Sequence, residues 1–413
     1  MENKKFLLLS PSSCTNPRSG GGQRTNLIYN ILQKLGEVDV VLVGGGNLQV
    51  LSEFFPGVKS IQLVNTLNPG EMGFWKSFRK IKPQVIDNLA LVLSDRAQVV
   101  YKVDPLLQPV VKDLLAKKDY DLIIGRHLRT VAKAGIFNQT NVPIILDYDD
   151  PDNETLRTRL NQPGLNFFSR VILASHLKQT EKILPQLLWL PQHIWVTHQN
   201  HQNMINHPEV SILPNIPYST MLSEPPEFIP MNPDSQTILF VGIHGYRVNR
   251  DGVKNFIVNQ WSNIRKVVNS AQLRIVGLGN WSELESQLGV IPGVEYVGFV
   301  EDLRKEYNQA RFTIVPLFEG GGTKIKVMES LYYGRTVVVT DQVHYGYRNL
   351  PNQEALLVAN TETEFTDQCI RLLNDSDLCN RLAQQGREIV IDNYSFSRFE
   401  SIVTETVNSL CPD

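Results

Sequence analysis

Lys326 and Glu329 stand three apart just beyond a run of glycines, within Phe312 to Thr340, FTIVPLFEGGGTKIKVMESLYYGRTVVVT. A lysine and a carboxylate at that spacing share one face of a helix. Gly320, Gly321 and Gly322 permit positive φ and let a ligand approach the backbone. Thr323 is expected to open the helix, with free N–H groups and the positive dipole end facing whatever sits in the loop. A phosphate would sit on those N–H groups and on Lys326, while Glu329 accepts from nearby hydroxyls. That set of donors and acceptors suits a nucleoside-diphosphate sugar. The plain alternative is a βαβ turn whose exposed Lys326–Glu329 pair is worth only ~0.3–0.5 kcal/mol.

Other chemistry-bearing residues follow apolar runs. His127 ends Tyr120 to Arg126, YDLIIGR, and ligands gather at the carboxyl ends of strands in open parallel sheets. Asp147, Asp149 and Asp150 follow Val142 to Leu146 and suit a metal or an acid/base pair. Turn formation and capping before Pro151 is the structural alternative. Gly20, Gly21 and Gly22 are expected to form a loop ahead of a helix carrying Leu27, Ile28, Ile31, Leu32 and Leu35. Such a loop cradles an anion or a sugar, or is a flexible turn. His193, His198, His201 and His207 resemble a metal cluster, but only His198 and His201 share a helical face. No cysteine or carboxylate lies among them, so no metal is expected.

These side chains need strands to hold them. Short apolar, β-branched runs predict strands at Phe6–Ser10, Val38–Val43, Ser60–Val64, Tyr120–Arg126, Val142–Leu146, Ile194–Thr197 and Val210–Leu213. Tyr218 to Ser235, with Pro225, Pro226, Pro230 and Pro233 and no periodicity, breaks the pattern. Strands resume at Thr237–Gly242, Leu273–Gly279, Val294–Val300, Phe312–Leu317, Thr336–Thr340 and Ala355–Val358. Helices are expected at Val253–Trp261, Glu362–Asn374, Asp377–Val390 and Phe396–Leu410, with a helical insertion over Glu154–Leu188. The chain therefore divides into an α/β domain over 1–215, a linker over 216–236 and a second α/β domain over 237–394. Residues from about 395 to 413 form a last helix.

A length of 413 residues accommodates two such domains, each with its own core. Hydrophobic content of 42% and charged content of 20% are those of a soluble globular protein. The net charge of −2 gives no global attraction to nucleic acid. Four cysteines without CxxC spacing favour a reducing compartment, the cytoplasm. The apolar run after Lys4-Lys5 is too short for a signal core and is read as the first strand. Residues 72–83, MGFWKSFRKIKP, mix aromatics with lysine and arginine. They suit either contact with an anionic membrane surface at its inner face or a solvated helix with aromatics in the core.

The stretch Gly321-Gly322-Thr323-x-x-Lys326-x-x-Glu329 closely resembles the donor-binding signature of the retaining glycosyltransferases of family four, which have the GT-B fold. Their usual form is glutamate, seven residues, glutamate. Glu329 matches the second, and Gly321 stands where the first would be, with Glu319 two residues too early. A branch engaged in polysaccharide assembly carries the Gly-Gly-Thr-x-x-Lys loop instead, and this sequence resembles that branch best. The resemblance implies two Rossmann-like domains facing a cleft, with the last helix crossing back to the first domain.

It further implies a retaining, metal-independent, hexosyltransferase-like enzyme that uses a UDP- or GDP-sugar, without a separate cofactor, on a carbohydrate or lipid-linked acceptor. His127 would contact the donor sugar, Lys326 would face the departing diphosphate, and Glu329 would accept from the ribose. Gly21 and Gly22 would lie against the phosphates, and Asp147 to Asp150 beside the acceptor. Gly242, Arg247 and Arg250 would border the diphosphate, with Val300 and Asp302 beside the base, and Gly320, Gly321, Gly322 and Thr323 in the donor loop. Two rivals stay open: a UDP-sugar 2-epimerase using the aspartates, and a non-catalytic nucleotide-sugar-binding relative.

Overall fold

The computed structural model describes residues 4–17, 19–66, 100–161, 165–217, 225–319 and 323–412. The stretch 72–83 and the glycines Gly320, Gly321 and Gly322 lie outside these residues. The chain forms two compact units, Met1–Pro214 with Phe399–Asp413, and Asn215–Arg398.

In the first unit the strands are β1 (Lys4–Pro11), β2 (Gly36–Val43), β3 (Ser60–Val64), β4 (Leu122–Arg126), β5 (Ile144–Asp147), β6 (His193–Val196) and β7 (Val210–Ile212). They pair in parallel in the order β3-β2-β1-β4-β5-β6-β7. Leu7, Leu9, Ile123, Leu146 and Ile194 are wholly buried. Each such side chain stabilises the fold by roughly 1.5–3 kcal/mol. The strand order reverses between β1 and β4, which makes their carboxyl ends the natural ligand position.

The second unit repeats the plan with β8 (Thr237–Val241), β9 (Gln272–Val276), β10 (Val294–Gly298), β11 (Phe312–Val315), β12 (Val337–Thr340) and β13 (Leu357–Ala359). These too are parallel, ordered β10-β9-β8-β11-β12-β13, with the reversal between β8 and β11. Its core joins Ile238, Phe240, Ile275, Phe312 and Ile314 to Phe256, Trp261 and Phe365 of the covering helices.

Each expected strand forms, because a strand covered on both faces is an apolar β-branched run with no competing period. Helix starts differ more. The helix Gly20–Leu35 begins at the glycines, so Gly20, Gly21 and Gly22 are its first turn and not a loop before it. Ser19 caps it, its hydroxyl accepting from the Gly22 amide at 3.1 Å. A Cβ on Gly22 would lie 1.8 Å from the Asn16 carbonyl oxygen, so packing requires glycine there. The helix expected from Val253 starts at Arg247, runs to Phe256 and continues through a wider turn at Ile257–Trp261. The insertion is two helices, Asp152–Leu160 and Phe167–Leu188.

The last helix is Phe396–Leu410, and from Phe399 onward the chain belongs to the first unit. There Phe399, Val403 and Val407 are buried, and the Trp195 indole N–H donates to Thr406 Oγ1 at 3.2 Å.

Candidate active site

In the second unit, Lys326 and Glu329 share one face of the helix Ile325–Tyr332, which follows β11. Lys324 is the residue before that helix. Thr323 therefore does not open it; its hydroxyl instead accepts from the Asn215 amide at 2.7 Å.

The Lys326 ammonium donates to Asn249 Oδ1 at 2.7 Å and lies 4.3 Å above the centre of the Phe240 ring. Burial lowers its pKa to about 7, Lys324 acts in the same direction, and Glu329 opposes both. Burial likewise raises the Glu329 carboxyl to about 7, against the Tyr307 hydroxyl and the Lys326 charge. Tyr307 reaches Glu329 Oε2 at 3.3 Å and stacks on Tyr333, with ring centres 5.0 Å apart. Burial thus disfavours the charge on each member of the pair, a cost that an incoming counter-charge relieves.

Glycine is needed beside this lysine. A Cβ on Gly242 would lie 2.9 Å from Lys326 Nζ, and the Gly242 carbonyl accepts from the Trp281 indole at 3.2 Å. Gly277 has φ of 142° and faces that same carbonyl, where a Cβ would come within 1.8 Å. A side chain at Gly277 would push β8 and β9 apart at their carboxyl ends, and one at Gly242 would displace Phe240 and the Lys326 ammonium.

Arg247, half exposed, pairs with Glu319 at 2.8 Å and with Asp251 at 3.0 Å. Glu319 is therefore the partner of Arg247 in this structure. Arg250 is held by Asp251 at 3.2 Å. Val300 packs against Leu239, Val276 and Tyr307, and Asp302 caps the following helix by accepting from the Arg304 amide.

In the first unit, His127 lies at the carboxyl end of β4 with φ of 61°, a conformation that costs about 1–3 kcal/mol in a residue other than glycine. Its amide donates to the Asp147 carbonyl at 3.0 Å. Its Nε2 lies 3.4 Å from Cys14 Sγ and its Nδ1 3.5 Å from Asp149 Oδ1. Burial opposes a charged imidazole, yet Asp149 and Cys14 outweigh it and raise the His127 pKa to about 9. Burial also opposes a Cys14 thiolate, but His127 and Arg126 prevail and bring that pKa down.

The aspartates are not free for a metal. Asp147 accepts from Arg24 Nη2 at 2.6 Å and from Arg126 Nε at 2.7 Å, all three side chains being essentially inaccessible. Asp149 accepts from Arg126 Nη2 at 2.5 Å. Burial would raise the Asp149 pKa, but Arg126, His127 and Arg24 hold it well below the usual carboxylate range. Asp150 is exposed and accepts from the Thr155 hydroxyl. Arg126 also donates to the Gly21 carbonyl at 2.6 Å, tying the first helical turn to the same cluster.

The structure thus brings Lys326, Glu329 and Gly242 together, and separately His127, Gly21 and two of the aspartates. Spacing alone missed Asn249, Phe240 and Tyr307 around the first group, and Cys14, Arg24 and Arg126 around the second. Asn249 and Cys14 lie in stretches already marked by other residues; Tyr307 carries no local signal.

Residues 235–375 match the family model of the glycosyl transferases group 1. That stretch is similar to a glycosyl transferases group 1 domain. It contains β8, β11, Lys326 and Glu329. No curated protein sequence matches the chain. Solved structures match it along almost all of its length. Sucrose-phosphate synthase of Thermosynechococcus elongatus is 13% identical with a TM-score of 0.67, covering 98% of this chain and 99% of its own. TarM of S. aureus, in complex with fondaparinux, alpha-GlcNAc-glycerol and UDP, is 11% identical with a TM-score of 0.64 and complete coverage, 100%, of both chains. HepE of Anabaena, in complex with UDP and glucose, is 12% identical with a TM-score of 0.63, covering 99% of this chain and 100% of its own. At such identities the likeness is one of fold, and the fold is GT-B. Among the described residues no helix is long and apolar enough to cross a membrane.

Proposed function

We propose that the protein is a retaining glycosyltransferase that moves a sugar from a nucleoside-diphosphate sugar to an acceptor hydroxyl, in polysaccharide or glycolipid assembly. One observation carries this: Lys326 and Glu329 sit side by side on the helix after β11, at the strand-order reversal of the family-matched domain. As the glycosidic bond breaks, the sugar ring gains positive charge and the diphosphate gains negative charge. Lys326 stabilises the diphosphate without a metal, and Glu329 accepts from the ribose hydroxyls. His127, held by Asp149, acts on the sugar. The acceptor is a carbohydrate, free or lipid-linked, and the work is done at the cytoplasmic side, where residues 72–83 can rest on an anionic surface. Against an epimerase stands the pairing of Asp147 and Asp149 with arginines.

Glu329→Gln should weaken donor binding by about 1.5–3 kcal/mol, or ~10- to ~150-fold, the range for hydrogen bonds to a charged group. Calorimetric titration with UDP- and GDP-sugars measures it. An unchanged Kd in a folded variant removes the ribose assignment, and with it the main support for this function.

Donor affinity should be bell-shaped in pH with its maximum near neutrality. Below about 7 Glu329 takes a proton and loses its acceptor role; above about 7 Lys326 loses its charge. A bound diphosphate raises the lysine pKa, so the alkaline limb of saturated turnover should lie above that of binding. Affinities measured from about pH 5.5 to about pH 8.5 that stay flat would show that neither group meets the donor.

A further inference from the structure

Two histidines and a glutamate converge in the first unit, outside the residues assigned to transfer. Glu154 comes from the helix Asp152–Leu160, His198 precedes the helix Gln199–Met204, and His201 lies within it. One ligand atom from each lies within 4.8 Å of the others. His201 Nε2 is 2.6 Å from Glu154 Oε2, and the rings of His198 and His201 have centres 3.6 Å apart. Both histidines are buried and Glu154 is 12% exposed. The Thr197 hydroxyl lies 3.3 Å from His201 Nδ1.

We propose that Glu154, His198 and His201 form a zinc site. Two imidazole nitrogens and one carboxylate oxygen are a ligand set that zinc accepts, with a fourth position left for water. Tetrahedral zinc with bonds of about 2.0–2.2 Å sets its ligand atoms about 3.3–3.6 Å apart. The His201–Glu154 contact opens by about 1 Å, and a separation near the 4.8 Å limit closes by about 1.2–1.5 Å, within the reach of side-chain rotation. Zinc takes the place of the proton between His201 and Glu154.

The surroundings support that exchange. With zinc on Nε2, His201 carries its proton on Nδ1 and donates it to Thr197, the outer hydrogen bond that fixes a metal-bound imidazole. His201 also lines a cavity of about 670 Å³, bounded by Tyr148, Arg157, Glu181, Trp189 and Met204. His193 and His207 do not join: His193 bonds the Ser211 hydroxyl at 2.8 Å, and His207 lies 3.1 Å from the Pro191 carbonyl. Zinc would tie the helix after β5 to the helix after β6, a bracing role independent of sugar transfer.

The test is calorimetric titration of the chelator-treated full chain with zinc chloride, beside thermal unfolding and cobalt absorption spectroscopy. One zinc per chain should bind, raising the unfolding temperature, and cobalt should give the intense visible bands of a tetrahedral site. His201→Gln and Glu154→Gln should each lower zinc affinity by at least ~100-fold, and Thr197→Val by ~10- to ~100-fold, the range for losing an outer hydrogen bond. Absence of stoichiometric zinc binding overturns the proposal, as does affinity unchanged in these variants. Should a variant fail to fold, the cobalt spectrum of the unaltered chain decides: octahedral or absent binding overturns the site.

Discussion

Replacing Arg126 by methionine should destabilise the first unit by about 3–5 kcal/mol, the cost of removing one partner from a buried charge network. The guanidinium is fully buried and donates to four acceptors: Asp147, Asp149, the Gly21 carbonyl and the Thr25 hydroxyl. Methionine fills much of the volume, so the loss is electrostatic more than steric. Asp147 keeps Arg24, but Asp149 is left, among the described residues, with the His127 contact at 3.5 Å and the more distant charge of Arg24.

The pH dependence identifies the cause. In the native protein the Asp149 pKa is depressed, so its stabilisation is present above the ordinary carboxylate pKa and is lost as pH falls through the depressed value. In the variant a buried, poorly paired Asp149 takes a proton more readily, and its penalty fades on acidification. The stability difference should be largest at neutral pH and shrink below about pH 4, as measured by urea unfolding. Asp149→Asn in the same background should recover part of the loss. A difference under about 1 kcal/mol at neutral pH would mean that Arg126 does not support the cluster.

The strands were legible in the sequence because burial on both faces imposes one local signature. Thr237–Val241 and Val337–Thr340 can satisfy neither a helical period nor an exposed face. Helix starts were less so. Gly20, Gly21 and Gly22 read as a loop by composition, yet the Ser19 cap and the close approach of Asn16 to Gly22 make them the first turn of a helix. Lys326 and Glu329 were legible because three-residue spacing is itself a geometric statement. Asn249 and Tyr307 were not: they reach the lysine and glutamate only because β8 and β11 pair in space, across a long separation in sequence. The same limit explains the aspartates. Read alone, Asp147 to Asp150 resembles a metal turn; Arg24, from a distant helix, decides otherwise. It also explains His198 and His201, whose carboxylate partner Glu154 comes from another helix.

Lys326→Met should lower saturated turnover about a hundredfold while weakening donor binding less. The proposed diphosphate is charged in the ground state but gains negative charge as the glycosidic bond breaks. A cation beside it therefore interacts more strongly with the transition state, and only that difference accelerates chemistry. A hundredfold loss corresponds to about 2.7 kcal/mol, a reasonable magnitude for one electrostatic contact in a water-poor site. The structure adds a condition. Burial holds the lysine near a pKa of about 7 in the ligand-free protein, so donor binding must recharge it, which diverts part of the ground-state attraction. That conversion is why binding suffers less than turnover. Methionine keeps the contact with the Phe240 ring but removes the donor to Asn249 Oδ1, whose loss costs about 1–3 kcal/mol of stability at most. Stability is thus checked separately by thermal unfolding. Single-turnover kinetics at saturating donor, beside a binding titration, give the two effects independently. The variant should also lose the alkaline limb of the binding profile, since no ammonium remains to titrate. If binding collapses while saturated turnover stays normal, Lys326 is an anchor only. Stabilisation of the leaving group must then pass to Arg247, which would have to exchange its Glu319 partner for the diphosphate.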